Sequence, residues 1–411
     1  MCEKVMDQVF WQSFDETISR TLVPSFASKA VRPCATSDYA EYRELLTENL
    51  ERIILYLDTL LKNREWKTSK VKIQLIKVVV IIGEHSSENV WNTRKATDLL
   101  QLVISRMCAL FSVQKVSQFL IDNVFSEVIM FLRPKLMKDS WKSHPAAVVC
   151  YEWLLQSVEK PLLRHHLPDV IPTALIILDD YDTNNQKVGL NCVSMIMRHC
   201  QDNHSLKNLN YDEVIFYALD QMAYKLDVSL VEDLYSCISN LLKCIEFYQR
   251  PSERFRWSRR DDVIMALLTH MELQTHDDSR IAYATSLKML LNQQNIGKWS
   301  ERLAGIIAEY CEDVNNLMTV DLSLNILSTL LSTYLPIGPN FVTTIFTSLI
   351  KLCCKITSSG ECNNELIQKV GSALLLLTNK YSSIGQELES NPIVTGILKS
   401  ILRTSETSEM S

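Results

Sequence analysis

The sequence predicts an all-α protein, an α-solenoid assembled from repeated helical hairpins. Three observations carry that expectation. Apolar residues recur at helical spacing along most of the 411 residues, and no run shows the period-two alternation of a strand. Only 9 glycines occur, and the prolines sit near predicted helix starts and turns. One stretch, Leu163 to Cys200, spells out a complete helical hairpin.

In that stretch Leu167, Ile171, Ala174, Leu175 and Leu178 fall on one helical face. A polar turn follows from Asp179 to Asn185, rich in side chains that bond their own backbone. A second face then opens with Val188, Cys192, Met195 and Ile196. Helices joined by so short a turn lie antiparallel. Pro172 removes one hydrogen bond inside the first helix and bends it. Asp179 and Asp180 close that helix, and Lys187 sits at the start of the second. A proline-bent helix, an aspartate turn and a basic residue opening the return helix form the pattern of a HEAT repeat. The expected fold is therefore an α-solenoid of HEAT/armadillo-like helical hairpin repeats. A lone hairpin buries too little apolar surface to offset the entropy of ordering its backbone, so it needs neighbours on both sides.

Residues 1–36 suggest a short amphipathic helix through Val5, Phe10, Phe14 and Ile18, then a link containing Pro24 and Pro33. A long helix is expected from about residue 37 to Leu61, with Ser37 as N-cap and Leu45, Ile53, Leu57, Leu60 and Leu61 inward. Ser69 to Gly83 is apolar nearly all round, which predicts burial on several sides, with Gly83 ending the helix. Trp91–Phe111 and Val113–Leu132 form a pair, and Trp141–Val158 follows with Pro145 in its first turn. Beyond the hairpin come Tyr211–Tyr224 and Ser229–Phe247, with Cys237 and Cys244 one heptad apart on the inner face.

Residues 248–260 break the rhythm. Helices resume at Asp261–Met271, Asp277–Leu291, Trp299–Glu312, Asp321–Tyr334, Phe341–Ile356 and Glu365–Lys380. Val342, Ile345, Phe346, Leu349, Ile350 and Cys353 trace an inner stripe. A short last helix begins at Asn391-Pro392, and residues 403–411 form a polar tail too poor in apolar residues to fold. The expected organisation is thus an N-terminal helix and link (1–36), an N-terminal array (37–247), an arginine-rich connection (248–260), a C-terminal array (261–402) and a disordered tail.

A net charge of −6 gives no global attraction for nucleic acid or acidic lipid. Met1 to Phe10 carries charges where a secretory signal needs apolar residues, and no apolar run is long enough to span a bilayer. The expectation is a soluble protein of the cytoplasm, with the nucleus also open to it. The 12 cysteines are scattered without a CxxC and read as small buried hydrophobes in a reducing compartment.

No catalytic pattern emerges. Glu84-His85 lacks the second histidine of a helical zinc site, and no phosphate-cradling glycine loop or GxSxG occurs. His199, Cys200 and His204 match no metal-finger spacing. The acidic turn at 179–182 lacks the glycine and distal glutamate of a calcium loop. The chain is expected to be no enzyme and to hold no cofactor or metal.

One stretch stands out as a candidate partner contact: Arg250, Arg254, Phe255, Arg256, Trp257, Arg259 and Arg260. Arginine interleaved with aromatics suits a protein interface or the stacking of nucleic-acid bases. A solvated loop whose arginines pair with Glu253, Asp261 and Asp262 is the plain alternative.

Trp141-Lys142-Ser143-His144-Pro145, PxxLIILDDY and KVGLNC in the hairpin, with support from Arg259 to Val263 and Leu267 to Glu272, resemble one family. It is that of the second telomere-length-regulator-interacting protein, a subunit of the Triple-T (TTT) co-chaperone complex. The similarity is clear over roughly 140–200 and 250–315 and is one of helical pattern elsewhere. It implies a non-enzymatic α-solenoid that binds the other two TTT subunits, themselves large helical-repeat proteins. It implies a role in the maturation of phosphatidylinositol-3-kinase-related kinases of the mTOR, ATM and ATR type. The ninety-kilodalton heat-shock chaperone and its AAA+ adaptor would act alongside. From the residues alone two other readings stay open: an independent HEAT-repeat adaptor for other protein cargo, and a nucleic-acid-binding solenoid centred on residues 250–260.

Overall fold

The computed structural model describes residues 8–26, 32–63, 69–121, 123–201, 204–224, 227–246, 257–291, 296–312, 316–333, 338–358, 364–381 and 395–396. Among them every regular element is an α-helix or a short 3₁₀ turn, with eighteen α-helices. Two units are distinguished, Met1–Ala218 and Leu219–Ser411. Of the expected connection at 248–260, the described residues include 257–260.

The first unit contains α1 (Gln8–Thr21), α2 (Ala40–Asn63), α3 (Ser69–Glu84), α4 (Arg94–Phe111), α5 (Val116–Phe119) and α6 (Asn123–Leu132). It continues with α7 (Pro145–Ser157), α8 (Leu167–Leu178), α9 (Thr183–Arg198) and α10 (Ser205–Asn208), and its boundary falls within α11 (Tyr211–Ala223). In one layer α1 packs on α3, α3 on α7 and α7 on α9; α2 lies against α4, and α8 against α9. Lys95 reaches Glu51 at 3.2 Å and Arg106 reaches Asp58 at 2.5 Å. Because the partner numbers rise together, α2 and α4 run parallel, as alternate helices in a stack of hairpins must.

Several local expectations change. On α2 the buried stripe is Leu46, Leu50, Ile53, Leu57 and Leu60, while Leu45 is 53% exposed, one step off that stripe. Ser37 is not the N-cap. A 3₁₀ turn (Thr36–Tyr39) precedes α2, held by the Asp38 carboxylate, which accepts from the Ala35 amide at 2.7 Å and from both Arg32 terminal nitrogens. An ionised acceptor with a bidentate arginine outcompetes a neutral hydroxyl. Gly83 lies inside α3 rather than ending it. A Cβ there would run into Cys150 Sγ and approach Trp153 to 2.8 Å, so glycine lets α7 pack close. The single helix expected over Val113–Leu132 is divided into α5 and α6, which brings both Phe119 and Leu120 into the core. Pro145 occupies the first turn of α7 as expected.

The organising hairpin forms as α8 and α9. Leu167, Ile171, Leu178, Cys192 and Ile196 are buried, whereas Leu175, Val188 and Met195 stand half-buried at its rim. Val170, Ile177, Val193 and Met197 fill the core places that the sequence pattern left unassigned. Pro172 lies within α8, and Asp179 is its C-cap. Asp182 caps α9, accepting from the Asn184 amide at 2.8 Å, which puts Lys187 in the second turn rather than the first. Gly189 is where the two helices nearly touch. A Cβ at that position would stand 2.5 Å from Leu178 Cα, so Gly189→Ala should destabilise the chain by about 1–3 kcal/mol in a denaturant melt.

The second unit holds α12 (Val231–Glu246), α13 (Arg259–Leu273), α14 (Asp277–Leu290), α15 (Ile296–Tyr310), α16 (Leu317–Thr333), α17 (Pro339–Ser358) and α18 (Asn364–Lys380). One layer runs α12, α14, α16, α18 and the other α13, α15, α17, while α13–α14, α15–α16 and α17–α18 pair as hairpins. Val342, Ile345, Leu349 and Cys353 are buried, with Phe346 and Ile350 at the edge. Cys237 and Cys244 are buried on α12. Each unit is an all-α array of stacked helical hairpins, the repeat architecture expected.

Candidate interaction surface

The sequence Ser258-Arg259-Arg260-Asp261 starts α13 with a reciprocal cap. The Asp261 amide donates to Ser258 Oγ at 3.4 Å, and the Ser258 amide donates to Asp261 Oδ2 at 2.8 Å. Asp261 is fully buried and also accepts from Lys298 Nζ at 2.7 Å and from the Trp299 indole nitrogen at 3.4 Å. Burial pushes its carboxyl up, but the hydrogen bonds from Lys298 and Ser258 outweigh this and hold it below the usual range, so it is a fixed anion. The result ties the start of α13 to α15.

Trp257 stands just ahead of that cap. Its indole N–H donates to Asp262 at 2.6 Å, its ring meets Trp299 edge-on at 5.6 Å, and Lys298 Nζ lies 5.7 Å over its face. It is nevertheless 53% exposed. Arg302 on α15 clamps Glu272 of α13 through two bonds of 2.8 and 2.7 Å. Arg259 is half-buried.

Arg260 requires a correction. The sequence offers it to a partner, but the side chain is 4% exposed and turned inward. Its Nε and Nη2 grip the two oxygens of Glu246 at 2.6 and 2.7 Å, and Nη1 donates to the Leu290 carbonyl at 2.7 Å. It joins α12, α13 and α14 and has no free donor face for a ligand. Arg250, Arg254, Phe255 and Arg256 lie outside the described residues.

In the first unit the structure unites segments that the sequence kept apart. Lys142 Nζ bonds Asp180 at 2.6 Å and lies 4.3 Å over the Tyr181 ring. Asp180 is buried and also accepts from Asn185 at 2.6 Å. Burial raises its pKa, yet Lys142 and Asn185 together bring it below the ordinary value. The acidic turn is thus bound to lysine. A second node was missed altogether: buried Glu84 accepts from the Val23 amide at 2.9 Å and from Lys135 at 3.3 Å. A glutamate closing an apolar helix was the available signal, but its partners lie 51 and 61 residues away.

His199 is buried, and its Nδ1 accepts from the Leu163 amide at 3.4 Å. Among the described residues no group of three or more His, Cys, Asp or Glu side chains is placed to hold a metal. Among them, too, no helix is long and apolar enough to cross a membrane.

Residues 126–232 match the sequence profile of the Tti2 family. Human TELO2-interacting protein 2 is 27% identical over 318 residues, covering 73% of this chain and 62% of that protein. The rat protein of the same name is 27% identical over 312 residues, 71% of this chain and 60% of its own length. The similarity thus spans about three fifths of these relatives. A solved engineered protein superposes with a TM-score of 0.42 at 9% identity, over 95% of this chain and 98% of that one. The sequence similarity is to the Tti2 family profile and to proteins named TELO2-interacting protein 2, the family that the segments Trp141–Pro145 and Leu167–Cys192 resemble.

Proposed function

We propose that this chain is a non-enzymatic scaffold subunit of a TTT-type co-chaperone complex. In this reading it binds the other two subunits and supports the maturation and stability of phosphatidylinositol-3-kinase-related kinases, in the cytoplasm and the nucleus. The ninety-kilodalton heat-shock chaperone and its AAA+ adaptor act with the assembled complex. The observation that carries the reading is the kinship to TELO2-interacting protein 2, with the family profile lying across the α8–α9 hairpin. Stacked hairpins supply what a scaffold needs, long helix-lined faces that do not depend on a catalytic cleft.

Co-expression of the chain with the two other subunits tests the proposal. The three should co-elute in equal amounts from size exclusion, and removing this chain should lower the steady-state level of the kinases. A chain that elutes alone beside an intact pair of subunits overturns it.

A further inference from the structure

We infer that a notch between α11 and α13, within the second unit, receives the guanidinium of an arginine carried by a partner protein. The inference rests on the function proposed above and names the chemistry by which a partner is gripped. The floor is Tyr235 of α12 and Tyr283 of α14, 2% and 6% exposed, whose rings meet edge-on at 6.3 Å. His270 of α13 stacks on Tyr283 at 5.5 Å, with the ring planes 4° apart. Asp262, Ala266 and His270 follow at i, i+4 and i+8, so one face of α13 offers an acid, a short side chain and a ring. Opposite them, Asp220 and Tyr224 stand one turn apart at the end of α11, and Tyr224 is 69% exposed.

Polar groups converge here that the fold itself does not use. Burial pushes the Tyr235 phenol up, and Tyr283, Asp220 and Tyr224 nearby push it further, so these polar ends share one space. Neither the Tyr235 nor the Tyr283 hydroxyl makes a hydrogen bond to a described residue. A hydroxyl so buried and unpartnered carries a cost that a bound group removes. Charge selects that group. Asp220 is raised by burial and then by the like charge of Asp262, even with Arg259 one turn before Asp262. Asp262 accepts from the neutral indole of Trp257, and burial lowers His270, which leaves its ring uncharged at neutral pH. Of the cations on α13, α14 and α15, Arg260 is held by Glu246, Lys298 by Asp261, Arg280 by Glu309 and Arg302 by Glu272. Carboxylates on both walls repel an anion. A guanidinium fits, because its planar fork donates to several oxygens while its face lies on an aromatic ring.

The test uses the full chain, with the purified pair of the other two complex subunits as the probe. Asp220→Asn and Tyr235→Phe should each weaken binding about tenfold. Their melting temperatures should equal or exceed that of the unsubstituted chain, since one relieves a like-charge pair and the other deletes an unpartnered hydroxyl. A merely structural role predicts the reverse, with lower melting and binding kept. Arginine amide should displace the pair from the unsubstituted chain at a concentration where sodium chloride of equal ionic strength does not. Equal displacement by the two salts overturns the guanidinium as the bound group. If both variants bind as the unsubstituted chain does, the notch is wrong and the proposed function stands. Failure of the unsubstituted chain to bind the pair overturns the proposed function and this inference with it.

Discussion

An Arg260→Ala variant should lose about 3–5 kcal/mol of stability. The guanidinium is 4% exposed and makes three hydrogen bonds of 2.6–2.7 Å to two different elements. Truncation strips two bonds from the Glu246 carboxylate and one from the Leu290 carbonyl, and it leaves a cavity where the aliphatic stem packed. The cost arises because the buried partner is removed while Glu246, 26% exposed, and the Leu290 carbonyl stay without their donors. The pair itself need not be worth as much against an apolar pair of equal volume. Arg260→Lys should fall between the two, since a single ammonium cannot reproduce the planar fork that serves Glu246 and Leu290 together. Denaturant melts give the loss, and faster amide exchange across α12, α13 and α14 would locate it. Unchanged exchange there would mean that Arg260 does not hold these helices together. A partner-contact role predicts the opposite pattern, with stability kept and binding lost.

This residue also shows how much a sequence can disclose. Arg260 stands at i−3, i−7 and i−11 from Val263, Leu267 and Met271, so it sits on the apolar stripe of α13. Helical period alone could have turned it inward; its charge and its arginine neighbours argued for solvent instead. The helices and the pairing of α8 with α9 and of α17 with α18 were legible because period 3.6 and short polar turns are local properties of the chain. The expected pair of 91–111 with 113–132 did not form, α6 packing on α3 and α7 instead. Ser37 and Leu45 were misplaced because caps and stripe edges turn on which side chain wins a contest within one turn. Glu84–Lys135, Lys142–Asp180 and Lys298–Asp261 were not legible at all. Each joins residues 37 to 51 positions apart, a distance set by the stacking of hairpins and carried by no local pattern. Trp257 was visible as a candidate, but its immobilisation by Asp262 and Trp299 required the cap of α13 and the start of α15 to meet.

Acid should destabilise the first unit through His199. Burial, with Lys160 nearby, holds this imidazole down at about 4, against an ordinary value of 6.5. Its Nδ1 accepts from the Leu163 amide, so the neutral ring fits the site, and a proton on Nδ1 would set two donors face to face. The sign follows from the depressed value. The unfolded chain takes up its proton near pH 6.5 and the folded chain only near 4, so stability is fully present above 6.5. It drains away as the pH falls through that window, by about 3 kcal/mol in total. His85, also held at about 4 by burial, adds a similar slope, so a melt of the unsubstituted chain alone cannot assign the effect. His199→Asn resolves it: the amide oxygen can stand in for Nδ1 as acceptor and does not titrate. The difference in stability between the two proteins should be nearly constant above pH 7 and should shrink or reverse by pH 4. A difference that stays level across the window would show that His199 is already charged in the folded chain, or solvated enough to titrate normally. Either result would remove the buried neutral ring from the foot of the α8–α9 hairpin.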